Sequence, residues 1–380
     1  GNGAGRAAGG RVRVPVRVGG DAYPVIVGRR LLPGALREIR RHLPAPAYAL
    51  VADRRAVPRE AAPLARALRE AGARAEVFPF PSGEASKTRE VKARLEDALL
   101  RRGFGRDCAF LTVGGGVAAD LGGFVAATFL RGRPHGVVAT TLLAMVDASV
   151  GGKVAVDHPA GKNLVGAFWQ PRLVLAPLES LGQLPRRVLR EGFAEAVKHG
   201  VVAGAAYFRR LETDARALRA GSTAALARLV EGSVRIKARV VESDPLEREG
   251  GRRAVLNFGH TVGHALEAGG GFRLRHGEAV ALGMPVEAEL AASMGLAPAS
   301  LSGRIEALLG NLGLAPRTHG APPSLRAVLA AAGTDKKNRR GVIRAALPRG
   351  LGRMDREAGY TRPLPLRPLR AVLRRRGLAS

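Results

Sequence analysis

The sequence predicts a wound, mainly parallel α/β domain followed by a mainly helical domain, and three observations carry that reading. Short apolar runs alternate with helical periodicity as far as about residue 178. One of those runs, 108–113, leads directly into Gly114-Gly115-Gly116. After Pro177 the texture changes to long segments of helical spacing with few strand candidates. Strands alternating with helices cover both faces of a parallel sheet, whereas successive amphipathic helices pack on one another.

Taken in order, residues 1–10 are rich in Gly and Ala and are expected to be disordered, so the fold starts near residue 11. Arg11–Val18 alternates basic and apolar residues like a half-buried strand. Segments 23–27 and 47–52, the latter ending at Asp53, read as strands, with helical patterns at 31–43 and 59–71. A strand at 76–80 and a helix at 89–102 precede the buried strand 108–113 and its glycine turn. The second domain is expected as helices at 185–202, 224–242, 261–268, 278–294 and 301–312, then a short returning hairpin at 335–348. Pro363, Pro365 and Pro368 interrupt a basic C-terminal tail that is expected to run over the surface. The expected division is 1–10 tail, 11–178 α/β domain and 179–380 helical domain.

Composition excludes several classes. With 46% hydrophobic and 24% charged residues the chain is globular, not collagenous or wholly disordered. Its 380 residues can close two cores without disulfides. The single cysteine, Cys108, cannot form an internal bridge, so a reducing, cytoplasmic setting is the expectation. No run of about 18 uncharged apolar residues and no apolar leader appears, and the chain is read as soluble, unexported and without a membrane partner. A net charge of +29 raises nucleic acid as a partner, but only 8 of the 61 cations are lysine. Arginine filling solvated faces by compositional bias accounts for the excess. No nucleic-acid fold, aromatic platform or clustered basic helix supports that partner. The same bias makes each lysine informative, because a compact ammonium does what a planar fork does not.

Chemistry concentrates in four places. First, Leu111-Thr-Val-Gly-Gly-Gly-Val-Ala-Ala-Asp120 is a strand, a glycine turn and a helix start, where free N–H groups suit a pyrophosphate; Asp53 ends an earlier strand and suits a ribose hydroxyl. Second, 140–153 runs Thr-Thr-Leu-Leu-Ala-Met-Val-Asp-Ala-Ser-Val-Gly-Gly-Lys and is followed by His158-Pro-Ala-Gly-Lys-Asn163, a mixture of hydroxyls, glycines and two rare lysines that core packing does not require. Lysine beside glycine suits phosphate or carboxylate. Third, Glu191-Gly-Phe-Ala-Glu-Ala-Val-Lys198 precedes Asn257-Phe-Gly-His-Thr-Val-Gly-His264 and His276-Gly-Glu278. One or two histidines with a carboxylate, leaving positions open, are what a catalytic zinc needs; spacing leaves open which two of the three histidines bind. Fourth, Lys237, Arg253 and Lys336 lie in short polar motifs.

Together these segments resemble the 3-dehydroquinate synthase family, within the wider sugar-phosphate cyclase group. The likeness runs from about residue 50 to 345 and includes Ser82-Gly-Glu-Ala-Ser-Lys87, 114–124, Phe129-Leu-Arg-Gly132, 140–153, 161–171, 195–198, 256–267 and 276–284, all in family order. The resemblance implies a Rossmann-like N-terminal domain that binds NAD, a helical C-terminal domain that binds a divalent metal (zinc or cobalt), substrate held in a cleft, and a homodimer. It selects Glu195, His260 and His276 as metal ligands and turns His264 toward the substrate. It assigns cofactor contacts to Asp53, Glu84, Lys87, Gly115, Gly116, Asp120, Thr140, Thr141 and Asp147. Substrate contacts fall on Lys153, Asn163, Lys198, Lys237, Arg253, Asn257, His264 and Lys336, with Lys162 near both ligands and Arg131 reaching a phosphate across the dimer interface.

The reaction so implied starts from 3-deoxy-D-arabino-heptulosonate 7-phosphate. Its C5 alcohol is oxidised by NAD, the acidified C6 proton is lost as phosphate leaves, the hydride returns, the ring opens and an internal aldol closes the carbocycle. Three positions depart from the family pattern: Ala119 for Gly, Ala148 for Ser, and His199 for an aromatic residue. None removes an expected ligand. Two rival enzymes are a secondary-metabolic sugar-phosphate cyclase and a metal-dependent polyol dehydrogenase, which unlike the main reading would release NADH at each turnover.

Overall fold

Apolar runs in the first half of the chain pair into one eight-stranded sheet. The computed structural model describes residues 6–7, 11–270, 274–314, 322–333, 342–357 and 359–380. The chain divides into two compact units, Gly1–Pro185 with Lys237–Glu242, and Arg186–Ile236 with Ser243–Ser380.

In the first unit the strands are β1 (Arg6–Ala7), β2 (Arg11–Val18), β3 (Asp21–Gly28), β4 (Ala47–Asp53), β5 (Arg74–Phe80), β6 (Cys108–Gly114), β7 (His135–Ala139), the paired β8 (Lys153–His158) and β9 (Gly161–Phe168), and β10 (Leu173–Pro177). The helices are α1 (Ala35–His42), α2 (Ala62–Glu70), α3 (Arg89–Arg101) and α4 (Gly116–Thr128). Sheet order is β1-β2-β3-β10-β7-β6-β4-β5, and every pairing from β3 to β5 is parallel. Central strands β6, β7 and β10 are buried along their whole length, because helices cover both faces of the sheet. Leu64, Ala65 and Leu68 of α2 pack on one face with Ile39 of α1; Val91 and Leu95 of α3 and Leu121 of α4 pack on the other.

The chain therefore changes sides between β4 and β6, which lie adjacent with Ala52 opposite Val113. Ligand crevices in wound sheets form at the carboxyl ends of such strands. Here those ends are Asp53 and Gly114. Within the segment expected to be disordered, Arg6–Ala7 pairs with Arg11 and Val12, and residues 1–5 and 8–10 lie outside the described residues. The β8–β9 hairpin was not anticipated as strands; it packs Val154 and Val156 into the core beside α4.

The second unit is built from α5 (Arg186–Ala203), α6 (Ala205–Arg219), α7 (Thr223–Ser243, of which 237–242 group with the first unit), α8 (His260–Gly269), α9 (His276–Ser293), α10 (Ser300–Asn311), α11 (Leu325–Gly333) and α12 (Leu366–Arg375). Helix α9 is buried on nearly every side and reads apolar all round, as a central helix must. It lies close against α8: a β-carbon on Gly283 would meet the Gly259 carbonyl oxygen at 2.0 Å, and one on Gly263 would meet that of Ala279 at 2.8 Å. The hairpin expected at 335–348 falls in part on 335–341, which lie outside the described residues; among the described residues Pro348–Gly350 (β12) pairs with Arg353–Met354 (β13) and Arg344–Ala345 (β11) with Arg362–Pro363 (β14). One expectation is corrected here. The basic tail is not confined to the surface, because α12 carries Leu369, Val372 and Leu373 at helical spacing and buries them against α9 and α11 residues.

Candidate metal centre and dinucleotide cradle

Three elements of the second unit aim their functional side chains at one point. Glu195 lies in the buried stretch of α5 and is wholly enclosed. His260 is the first residue of α8 and His276 the first of α9. One turn before Glu195, Glu191 forms an ion pair with Arg275, the residue preceding His276, and so aligns α5 with the start of α9. The ring nitrogen Nε2 of His276 stands 3.0 Å from Glu195 Oε1, and that of His260 stands 3.4 Å from the same oxygen. The ligating atoms of all three residues lie within 4.8 Å of one another. The ammonium of Lys198, one turn after Glu195, abuts Oε2. Burial alone would raise the Glu195 pKa; the Lys198 ammonium and the two imidazoles instead hold it well below the usual carboxylate range.

This arrangement fits a divalent cation. His260 Nδ1 is 3.1 Å from the carbonyl oxygen of Phe258, which only accepts, so the proton sits on Nδ1. Burial lowers the His260 pKa to about 4, and the ring is neutral with a lone pair at Nε2. That lone pair faces a carboxylate oxygen, a pairing of acceptors that a divalent cation held between them would satisfy. Ligand bonds of roughly 2.0–2.1 Å in a tetrahedral site give an edge of about 3.3 Å, close to both observed separations. His264, Glu267 and His276 form a second set with ligating atoms within 4.8 Å. His264 stands beside the first set, its ring centroid 5.2 Å from that of His260 and 5.9 Å from that of His276. The buried acceptor pairing favours the Glu195 set.

Nearby, Arg253 is buried; its backbone N–H donates to the Asp244 carboxylate and its guanidinium donates to the Pro245 carbonyl at 2.7 Å. Asn257 donates from Nδ2 to Glu247 at 3.1 Å. Lys336 lies outside the described residues. Sequence reading passed over Glu287, whose buried carboxylate accepts from Gly259 and Val262. A lone carboxylate inside the apolar run 279–288 is the signal that would have found it.

The first unit builds a cradle at the side-change of its sheet. Gly114 has φ +149°, and a β-carbon there would meet Asp53 Cβ at 2.9 Å, so only glycine lets the strand end pass the Asp53 side chain. A β-carbon on Gly115 would meet Thr141 Cγ2 at 3.0 Å. Helix α4 begins at Gly116 without a side-chain cap, which leaves its first N–H groups for an anion. The Thr140 N–H bonds the Gly114 carbonyl at 2.8 Å, and Thr141 Oγ1 accepts from Ala144 N–H. Ser82, also unpredicted, donates its hydroxyl to Asp53. Buried Lys87 lies 2.5 Å from Asp120 and 3.9 Å from Glu84; burial would lower its pKa, but these carboxylates raise it. Lys162 is 3.7 Å from Glu84. Lys237 lies 2.7 Å from Asp147 Oδ1 and also donates to the Asp147 carbonyl oxygen.

Lys153 opens β8 with an exposed side chain. Asn163 adopts φ +56° at the start of β9, with its N–H on Asp157. Arg131 is exposed at the exit of α4, with φ +69°. Of the departures, Ala119 is buried in the first turns of α4, Ala148 ends a short π-helical segment, and His199 is fully buried beside Lys198. Among the described residues no helix is long and apolar enough to cross a membrane.

Comparison with known proteins agrees across the chain. Residues 77–191 match the family description "3-dehydroquinate synthase N-terminal" and residues 192–338 match "3-dehydroquinate synthase C-terminal". A 3-dehydroquinate synthase of Symbiobacterium thermophilum is 45% identical over 346 residues, covering 88% of this chain and 93% of that protein. Among solved structures, 2-deoxy-scyllo-inosose synthase complexed with carbaglucose-6-phosphate, NAD+ and Co2+ has a TM-score of 0.83 at 24% identity, covering 96% of this chain and 99% of that one. A 2-epi-5-epi-valiolone synthase from Streptomyces hygroscopicus with NAD+ and Zn2+ bound has a TM-score of 0.82 at 26% identity, covering 94% and 98%.

Proposed function

The chain belongs to the 3-dehydroquinate synthase family, and from that premise we infer that it converts 3-deoxy-D-arabino-heptulosonate 7-phosphate to 3-dehydroquinate and phosphate. The observation that carries the reading is the meeting of Glu195, His260 and His276 around one point in a chain whose other unit ends two adjacent strands in Asp53 and a glycine turn. Glu195, His260 and His276 hold the divalent ion, and the Gly115–Gly116 turn with Asp53, Asp120, Thr140 and Thr141 holds NAD. Bound there, the ion would supply Lewis acidity toward an alcohol and NAD a reversible hydride acceptor, with no net redox change.

The chain's own residues supply position and charge. Neutral His260 and charged Glu195 are set for ligation by burial and by Lys198, which keeps the carboxylate ionised. His264, one turn after His260, holds and moves the proton of the reacting alcohol. Asp53 accepts from ribose hydroxyls, with Ser82 and the Arg55 N–H orienting its carboxylate. Lys87 organises Asp120 and Glu84 at the cofactor; Lys162 serves both ligands, and Lys237 orders Asp147. Lys153, Asn163, Lys198, Arg253, Asn257 and Lys336 take the substrate's anionic and hydroxyl groups, and Arg131 takes the phosphate of the other subunit in a homodimer. The enzyme acts in the cytoplasm, with neither nucleic acid nor membrane as partner.

The test is incubation of the purified protein with the heptulosonate phosphate, NAD and Zn2+ or Co2+. Phosphate release with 3-dehydroquinate identified by mass, and no net absorbance change at 340 nm, is expected. Turnover of glucose 6-phosphate or another sugar phosphate in its place, or stoichiometric NADH release, overturns the assignment.

A further inference from the structure

A buried carboxylate is expensive unless its oxygens are hydrogen-bonded. Glu287 is one: it sits on α9 with no exposure, and its two oxygens accept from the N–H groups of Gly259 at 2.6 Å and Val262 at 2.9 Å. Those amides belong to the first turn of α8, where a helix presents unsatisfied donors and the positive end of its dipole. Between them in the chain lie His260, the histidine of the metal site, and Thr261.

The Gly259 N–H and the Phe258 carbonyl are two ends of a single peptide group. Glu287 grips the N–H end. The carbonyl end takes the Nδ1 proton of His260 at 3.1 Å. Hydrogen bonds in series polarise one another, so a carboxylate on the N–H makes the carbonyl a stronger acceptor and the imidazole behind it a stronger donor of electron density at Nε2. Metal-bound histidines are commonly oriented by a carboxylate or a carbonyl on the far nitrogen. Here the two are joined in one relay. Gly259 makes the relay possible, because its φ of +79° turns the peptide toward α9 and a β-carbon there would meet Met284 Cγ at 2.4 Å.

We propose that Glu287 is a positioning residue for the metal centre, fixing the tautomer, orientation and ligand strength of His260 through the Phe258–Gly259 peptide. The helix that opens with His276 thus also grips the peptide that precedes His260, and one rigid element sets both imidazoles. The proposal rests on the reading that Glu195, His260 and His276 hold a divalent ion.

The variant Glu287→Gln keeps the shape but presents an NH2 to one of two donors, breaking one link of the relay. Zn2+ affinity, measured on the full-length protein by competition with a chromophoric chelator, is expected to fall about 10–100-fold. The visible absorption bands of the Co2+-loaded protein are expected to shift in position and intensity, a change that a loss of stability alone does not produce. Glu195→Gln is the reference, expected to lose the Co2+ spectrum outright. If Glu195→Gln keeps the wild-type spectrum, the metal reading falls and the proposal with it. If Glu195→Gln loses it while Glu287→Gln matches wild type in affinity and spectrum, the proposal alone is overturned. Should Glu287→Gln fail to fold, amide exchange at Gly259 in the wild-type protein answers the same question: Zn2+ is expected to slow it, and exchange indifferent to Zn2+ overturns the proposal.

Discussion

Replacing Gly283 by alanine tests how the fold holds the proposed metal ligands together. The added methyl would lie 2.0 Å from the Gly259 carbonyl oxygen and 2.7 Å from the Gly263 nitrogen, both backbone atoms of α8. Neither can rotate away as a side chain would. Carbon in ordinary contact stands roughly 3.5 Å from its neighbours, so α8 and α9 must part by more than about 1 Å near Gly259. That residue directly precedes His260, whose Nε2 lies only 3.4 Å from Glu195 Oε1. A ligand set tolerates errors of about 0.5 Å, and a displacement of about 1 Å in an active site costs on the order of 100-fold. Overpacking of this kind also costs about 1–3 kcal/mol of stability. Gly283→Ala is therefore expected to lower the urea midpoint of the metal-free protein modestly and to weaken Zn2+ binding about 100-fold, with phosphate release falling in parallel. Chelator competition and urea titration measure the two effects separately. Zn2+ affinity within threefold of wild type would refute the claim that close helix approach sets the ligand geometry.

Two further perturbations probe the first unit. His135 is fully buried at the start of β7, and burial lowers its pKa from 6.5 to about 4. The unfolded chain binds that proton more readily, so the stability is fully present above pH 6.5 and is lost as the pH falls toward 4, by up to roughly 3 kcal/mol. His135→Phe, which cannot titrate, is expected to flatten this part of the urea-measured pH profile between 6.5 and 4; an unchanged slope contradicts it. Cys108 is buried in β6, and burial raises its thiol to about 11. An aromatic disulfide reagent at pH 8 is expected to find no reactive thiol in the native protein and one after denaturation, whereas rapid native reaction would contradict the burial.

Several features follow from local chemistry and were legible in residue order. Helical and strand periodicity placed β4, β6 and α9 within a few residues of their observed ends, because these elements bury whole faces that must read as apolar. The glycine turn, the rare lysines and the histidine spacing located both candidate sites, since few roles other than binding call for those residues together. The β8–β9 hairpin escaped because its polar, glycine-rich sequence imitates a loop, and α12 because basic residues obscure the apolar stripe of Leu369, Val372 and Leu373.

Residue order alone thus determined the class of fold, the family and the pool of candidate ligands, all of which depend on neighbours along the chain. Three-dimensional packing decided which of those candidates meet. Glu195, His260 and His276 come from three helices, and their separations of 3.0 and 3.4 Å depend on glycine contacts between α8 and α9 and on the Arg275–Glu191 pair. Glu287 shows the same division: its identity is written 11 positions after His276, but its role depends on a peptide 28 positions earlier in the chain, reached only when the two helices pack.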